Sequence, residues 1–369
     1  AIVRSGQPCA CKPSGLSMCT YSGVSTPAGV LVLVFALTRT NSEQVWLREK
    51  KPHYMRVSST GVLMHDLAEV TERRRAPSMV VDMPKDVQQR YLASLSENKF
   101  SVVTHFTGAI FQWQCLLENW LAGLALKGFP GAQVTILCMD KSAVESCASL
   151  GKPAALRAVS CVNATSWGDL LFATSQQSSH DSSGSTVLFH RDLYFTMTWA
   201  KPVIVHTATS HGFPVVYCDA DIIFRRHLLV NESQSMFEMK TGNSGLVVAP
   251  AWSDVPEKWY RAARSMTYTR KIEDGREVNC CDQDALMAVL PHAASAWRTW
   301  PIESIPECAG KGPGSGGPET KDTLAMHYNC IGDTTDEGRM TLKAREMRRH
   351  QQWLVTEGVC ANYAAQPST

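Results

Sequence analysis

The chain lacks an excess of either charge: 36 Lys and Arg face 34 Asp and Glu over 369 residues, a net charge of +2. That balance excludes a broad basic face, and nucleic acid is not an expected partner. It has no Gly-x-x-x-x-Gly-Lys-Ser/Thr phosphate loop, even where glycine and proline crowd Ala309 to Pro318. No two Cys-x-x-Cys pairs stand at zinc-finger spacing, and 13 dispersed cysteines exclude a small disulfide scaffold. A long apolar run is missing too. Pro13 to Thr38 carries no charge, but only Ala28 to Leu37 is strongly apolar, short of the roughly 20 residues a spanning helix needs. That stretch reads as a degenerate signal-anchor, a buried strand or a non-native N-terminus, and a start at Ala1 is compatible with an upstream targeting segment.

The cysteines that are present fall into groups. Cys9, Cys11 and Cys19 offer three thiols to a zinc ion, the less favoured reading. Cys138 and Cys218 lie in apolar runs and read as buried free thiols. Cys280, Cys281, Cys308, Cys330 and Cys360 gather in the C-terminal third, where one or two disulfides would suit an oxidising compartment. The sequons Asn163-Ala164-Thr165 and Asn231-Glu232-Ser233 point to the same compartment.

Residues 1–98 show no sustained hydrophobic period, and Arg73-Arg74-Arg75 reads as a solvated face; this third is expected to be an N-terminal extension, as a stem, an accessory layer or a partly disordered segment. From Lys99 the pattern changes. Phe100 to Phe106 reads as a strand, with a turn at Thr107-Gly108, and Cys115 to Leu126 as a packed helix stopped by Gly128 and Pro130. Val134 to Met139 reads as a second strand with Asp140 at its tip, and Ser142 to Leu150 as a second helix. This alternation predicts an α/β fold with a mostly parallel sheet and crossover helices. A polar loop over Ser175 to Ser185 leads into an apolar pattern from Leu188 to Thr209 that Pro202 should kink or split. Trp252 to Thr269 and Asp282 to Leu290 read as later helices. The main domain is expected over 99–357, with a tail at 358–369.

The chemistry concentrates at Phe213-Pro214-Val215-Val216-Tyr217-Cys218-Asp219-Ala220-Asp221-Ile222-Ile223-Phe224. It reads as one buried strand with carboxylates at its C-terminal tip, where parallel sheets bind ligands. In a continuing strand Asp219 and Asp221 would point the same way, and two hard oxygen donors suit Mn²⁺ or Mg²⁺ holding a diphosphate. Asp-x-Asp is common in solvated loops, but this run is too hydrophobic for one. Lys201 reads either as a snorkelling surface group or as a contact to phosphate or sugar oxygens. Asn243-Ser244-Gly245 is either an ordinary turn or a hydroxyl-binding approach to a strand. Asp282 and Gln283 either cap their helix or meet a hydroxylated substrate. His327 is either structural or a third metal donor, and Lys343 to His350 reads as a solvated helix face.

In order, Leu117-Glu118-Asn119-Trp120-Leu121, Met197-Thr198-Trp199-Ala200-Lys201, Tyr217-Cys218-Asp219-Ala220-Asp221, Asn243-Ser244-Gly245, Asp282-Gln283-Asp284 and His327-Tyr328-Asn329 resemble the nucleotide-diphospho-sugar transferase family that includes plant arabinosyl- and xylosyltransferases. The likeness spans about Lys99 to Glu357. It implies a GT-A fold, a Rossmann-like mostly parallel sheet flanked by helices, and a metal-dependent glycosyltransferase that takes a UDP-sugar to a glycan or glycoprotein acceptor with retention of configuration. Carried over by residue, Asp219, Asp221 and His327 would hold Mn²⁺ or Mg²⁺. Lys201 would reach the donor, with Thr107 and Lys343 also on the cofactor side, and Asn243, Asp282 and Gln283 would line the sugar and acceptor side. A Golgi or endoplasmic reticulum lumen, with the N-terminal region as a type II membrane anchor, goes with this reading.

One departure concerns phosphate. The family's later histidine is commonly followed by a glycine and a phosphate-binding lysine; here Gly332 is present, but the nearest lysine is Lys343, beyond Asp333, Asp336 and Glu337. Two other classes compete: a catalytically silent relative that binds a glycan or protein, and a metal-dependent phosphoesterase, which wants a richer His and Asp cluster than the sequence offers.

Overall fold

A computed structural model of the chain describes residues 80–97, 99–107, 112–178, 196–230, 235–240, 242–265, 269–271, 277–279, 282–301, 304–306, 321–329, 336–355 and 360. The chain divides into units Ala1–Arg74 and Arg75–Thr369, and the described residues belong to the second. The apolar Pro13 to Thr38 stretch, Cys9, Cys11, Cys19, the Arg73 triplet, the Asn231 sequon, Cys280, Cys281, Cys308, Cys330, Gly332 and the 309–318 loop lie outside the described residues. Among the described residues no helix is long and apolar enough to cross a membrane.

Eleven strands and eight α-helices are described. The strands are β1 (Ser101–Phe106), β2 (Gln133–Cys138), β3 (Ala158–Asn163), β4 (Val215–Cys218), β5 (Ile222–Phe224), β6 (Phe237–Lys240), β7 (Asn243–Ala249), β8 (Thr269–Lys271), β9 (Glu277–Asn279), β10 (Trp297–Trp300) and β11 (Ala325–His327). The helices are α1 (Lys85–Ala93), α2 (Gln112–Gly123), α3 (Lys141–Ser149), α4 (Thr165–Ser178), α5 (Ala200–Ser210), α6 (Asp254–Ser265), α7 (Asp282–Val289) and α8 (Asp336–Arg349). Seven strands form one sheet in the order β10-β6-β7-β4-β1-β2-β3. Only β7 runs against its neighbours; the other pairings are parallel, so the mostly parallel sheet expected from the alternation is observed.

The central strands read as continuous apolar runs because both of their faces are covered. Val102, Ile136, Val216 and Val248 pack on one side with Leu116, Leu117 and Trp120 of α2 and Ala344 and Met347 of α8. Their neighbours Val103, Leu137, Tyr217 and Val247 turn to the other side, against Val87 and Tyr91 of α1, Trp167 of α4, and α5 to α7. Helix α1 thus lies ahead of Lys99 yet buries its apolar face in this core.

Local chemistry explains most boundaries. The Asp140 carboxylate accepts the Ala143 N–H at 2.7 Å and caps α3. Helix α2 ends in a π-turn at Leu124–Gly128, where a Cβ on Gly128 would meet the Phe224 ring at 2.8 Å. Pro202 does split its apolar segment: residues 196–198 make one helical turn, and α5 starts afresh at Ala200, so Pro202 sits in a first turn that needs no N–H from it.

Four expectations need correction. The run Phe213–Phe224 is not one strand: the chain turns at Ala220-Asp221, where the Ile222 N–H reaches the Asp219 carbonyl at 3.1 Å, and β5 leaves the large sheet to pair with β11. Neither β3 nor α4 announces itself by period, since β3 is an edge strand with partly exposed positions, and α4 carries helix past the expected loop start at Ser175. Cys360 pairs with Cys115, 245 residues away, rather than within the C-terminal third, and Cys147 pairs with Cys161. Lys343 is buried rather than on a solvated helix face. Cys138 and Cys218 are buried free thiols as expected.

Among the described glycines the closest approach is at Gly168 of α4, where an added Cβ would lie 1.7 Å from the carbonyl oxygen of Met139, just past β2. Backbone cannot yield as a side chain tip can. Gly168→Ala is therefore expected to cost about 3 kcal/mol or more and to lower the thermal midpoint by several degrees; an unchanged melting curve would contradict this packing.

Candidate active site

Topology brings the acidic turn and the late histidine together. Asp219 leaves β4 with its N–H on the Gly245 carbonyl at 2.7 Å, one step beyond the Cys218–Leu246 pair that joins β4 to β7. Antiparallel pairing sets His327 of β11 opposite Ile222 of β5, and the Tyr328 N–H donates to the Asp221 carbonyl at 3.0 Å. One ligand atom from each of Asp219, Asp221 and His327 thus lies within 4.8 Å of the other two. His327 Nε2 stands 3.2 Å from Asp221 Oδ1 and 4.0 Å from Asp219 Oδ2.

Two lysines reach the same carboxylates from helices. Lys201, in the first turn of α5, donates from Nζ to Asp219 Oδ2 at 2.8 Å, and Lys343 of α8 donates to Asp221 Oδ2 at 2.7 Å. Both are buried, with side chains 9% and 5% exposed, against 24% for Asp219 and 13% for Asp221. Burial works against ionising Asp221, but Lys343 and His327 outweigh it and hold its carboxyl well below the usual carboxylate range. Lys343 is thus the residue that the departure in spacing made hardest to place, and it touches the acidic turn.

Three neighbours were not foreseen. The Tyr217 hydroxyl donates to Asp219 Oδ1 at 3.0 Å and lies 2.9 Å from His105 Nδ1. Burial, helped by Lys201, pushes His105 down to about 4, so its ring is neutral at pH 7. Lys240, fully buried at the end of β6, lies 3.3 Å from His327 Nδ1. Lys240 thus stands on the Nδ1 side of the ring and the acidic turn on the Nε2 side, so a cation shared with Asp219 and Asp221 would meet Nε2. A signal for one of them existed in the sequence: Tyr217 precedes Asp219 by two positions.

The sugar-side candidates line an adjoining wall. Asn243 Oδ1 accepts the Gly245 N–H at 2.7 Å, and the Ser244 hydroxyl donates to Asp282 Oδ2 at 2.5 Å. Burial raises the Asp282 carboxyl to about 6, although Lys201 and Ser244 oppose it. Trp259 Nε1 fixes the start of α7 by donating to the Asp282 carbonyl at 2.7 Å. The Gln283 N–H bonds the Asp282 carboxyl. Thr107 follows β1 at its C-terminal end, and among the described contacts none joins it to the cluster.

A divalent cation fits these donors. Two carboxylate oxygens and one imidazole nitrogen suit Mn²⁺ by hardness and number, and Gly245 leaves the space open. A Cβ there would lie 2.7 Å from His327 Cε1 and 2.8 Å from Asp219 Oδ2.

Residues 132–246, just under a third of the chain, match the model of the nucleotide-diphospho-sugar transferase family. This bears out the resemblance over that stretch, which holds β2 to β6, the start of β7, the acidic turn, Asn243 and Gly245, and it supports a glycosyltransferase. No curated protein matches. Solved structures are similar only at a distance. Mouse xyloside xylosyltransferase 1 in its apo form shares 11% identity over 64% of this chain and 99% of its own, with a TM-score of 0.39. The galactosyltransferase LgtC with donor and acceptor sugar analogs shares 11% over 72% of this chain and 100% of its own, also at 0.39. The bifunctional glycosyltransferase WbbM in its apo form shares 10% over 70% of this chain and 52% of its own, again at 0.39.

The Gly245 space gives a direct test. Gly245→Ala is expected to weaken Mn²⁺ binding in the presence of UDP about ten-fold or more, read by electron paramagnetic resonance, while circular dichroism stays that of the parent. Parent-like affinity would show that the cation does not use the site between Asp219 and His327.

Proposed function

We propose that the chain is a metal-dependent glycosyltransferase, moving a sugar from a UDP-sugar to a glycan or glycoprotein acceptor with retention of configuration. The observation that carries this reading is the convergence of Asp219, Asp221 and His327 within 4.8 Å, inside a segment that matches a nucleotide-diphospho-sugar transferase model. A divalent cation held by these three residues would supply Lewis-acid stabilisation of the departing diphosphate.

The chain's own residues divide the remaining work. Lys201 and Lys343 neutralise the carboxylates at 2.8 and 2.7 Å. A cation arriving alone would displace both ammonium groups into a buried wall with no new anion, a costly arrangement. With a diphosphate bound beside the cation, each lysine would turn to phosphate oxygens in exchange. Metal and nucleotide are therefore expected to bind together. Asn243, Asp282 and Gln283 hold and orient the sugar and acceptor hydroxyls, and the buried Asp282 carboxyl accepts from one of them. Among the described residues no nucleophile is identified, which fits front-side attack by the acceptor on the face the diphosphate leaves.

Two disulfides support an oxidising lumen, in the Golgi or endoplasmic reticulum, with any type II anchorage through residues 1–98. The same lysines favour a second reading, a catalytically silent relative in which Lys201 and Lys343 replace the cation permanently and the fold binds a glycan or protein.

Calorimetry separates the two. UDP is expected to bind at least about ten-fold more tightly with Mn²⁺ than without it, and Asp219→Ala or Asp221→Ala should abolish that gain. UDP binding indifferent to Mn²⁺ and to both substitutions would favour the silent relative.

A further inference from the structure

Lys343 reaches Asp221 from a helix that the sheet does not pair, so something must hold that helix in place. Its end reverses at Gln351, a non-glycine residue at φ +56, with the Gln351 N–H on the Arg348 carbonyl and the Gln352 N–H on the Met347 carbonyl. Such a cap costs free energy and persists only when its surroundings fix it. They do so through one buried side chain of α2. Asn119 Nδ2 donates to the Gln352 carbonyl at 3.0 Å, and Asn119 Oδ1 accepts the Leu354 N–H at 2.5 Å. Its two ends therefore pin the chain on either side of Trp353.

Two further contacts extend this clasp. The Gln352 side chain accepts the Tyr328 hydroxyl at 2.9 Å, next to His327, so the pinned segment braces the strand that carries the imidazole. Four residues before Asn119, on the same face of α2, Cys115 is bonded to Cys360. The hydrogen bonds and the disulfide tie one helix to the C-terminal arm.

We propose that Asn119 is a positioning residue for the nucleotide site: by clasping the arm to α2 it keeps Lys343 at Asp221 and thereby sets the affinity for a nucleoside diphosphate. The inference rests on the glycosyltransferase reading and adds an element that lies outside the acidic turn. Asn119 acts through Lys343, so the two substitutions must not act independently.

The test is a double-mutant cycle on the full chain, with UDP affinity measured calorimetrically in saturating Mn²⁺. Asn119→Ala is expected to weaken UDP binding about five-fold or more with Lys343 present, and less than about two-fold in the Lys343→Ala background. Equal losses in both backgrounds, or no loss, overturn the proposal. Should Asn119→Ala fail to fold, Cys115→Ala/Cys360→Ala takes its place in the same cycle, with Cys147→Ala/Cys161→Ala as the control that must leave UDP affinity unchanged. Hydrogen exchange provides a ligand-free readout: loosening the clasp must speed exchange over 343–354 and at 326–328. A parent that binds no UDP would sink the glycosyltransferase reading instead, and exchange alone would then decide the clasp.

Discussion

Everything in this molecule defers to one electrostatic constraint: two carboxylates brought together by a tight turn must be compensated where water is scarce. Asp219 and Asp221 are held close by the Ile222 to Asp219 turn rather than by strand periodicity. Lysines from α5 and α8 and the imidazole from β11 answer them. A buried charge without a partner costs several kcal/mol, so the arrangement either stays as this set of ion pairs or exchanges them for another of equal charge. A cation joined to a diphosphate is such an exchange.

The fold serves that constraint by close approach. Helix α5 turns back into β4 through Gly212, at φ +84, which sets the helix start beside the strand's end and so Lys201 beside Asp219. Gly245 keeps β7 from filling the space between Asp219 and His327. The arm that bears Lys343 is not part of the sheet; Ala344 and Met347 pack it into the core, and Asn119 bonds its end to α2. The site is rigid where backbone ladders build it and adjustable where one asparagine and one disulfide do.

Much of this was legible in the sequence because local rules and tertiary demands agree. The apolar runs of β1, β2 and β4 have covered faces, and Pro202 splits one helical segment and Gly128 closes another for local reasons that need no knowledge of the rest. The acidic pair was legible as a pair, but the geometry joining the two was not, since a run of apolar residues does not reveal a turn between them. Strand β3 lacks a period because it is an edge, and α4 follows it without a helix signal that stands out from polar neighbours. Lys343 was named only through the resemblance: by residue type a lysine among other basic residues on a helix reads as solvated, and its inward turn comes from the packing of Ala344 and Met347 and from the Asn119 clasp, formed across more than two hundred residues. His105 and Lys240 were hidden for the same reason, being single polar groups in strands whose importance comes from what lies beside them in the sheet.

The most direct measurement of the central claim is the anomalous scattering of Mn²⁺ in crystals of the full chain grown with UDP. The account predicts one strong peak within bonding distance of Asp219, Asp221 and His327, with the Lys201 and Lys343 ammonium groups moved from the carboxylates onto the diphosphate. A nucleotide bound with no peak there, and both lysines still paired to the acidic turn, would contradict it.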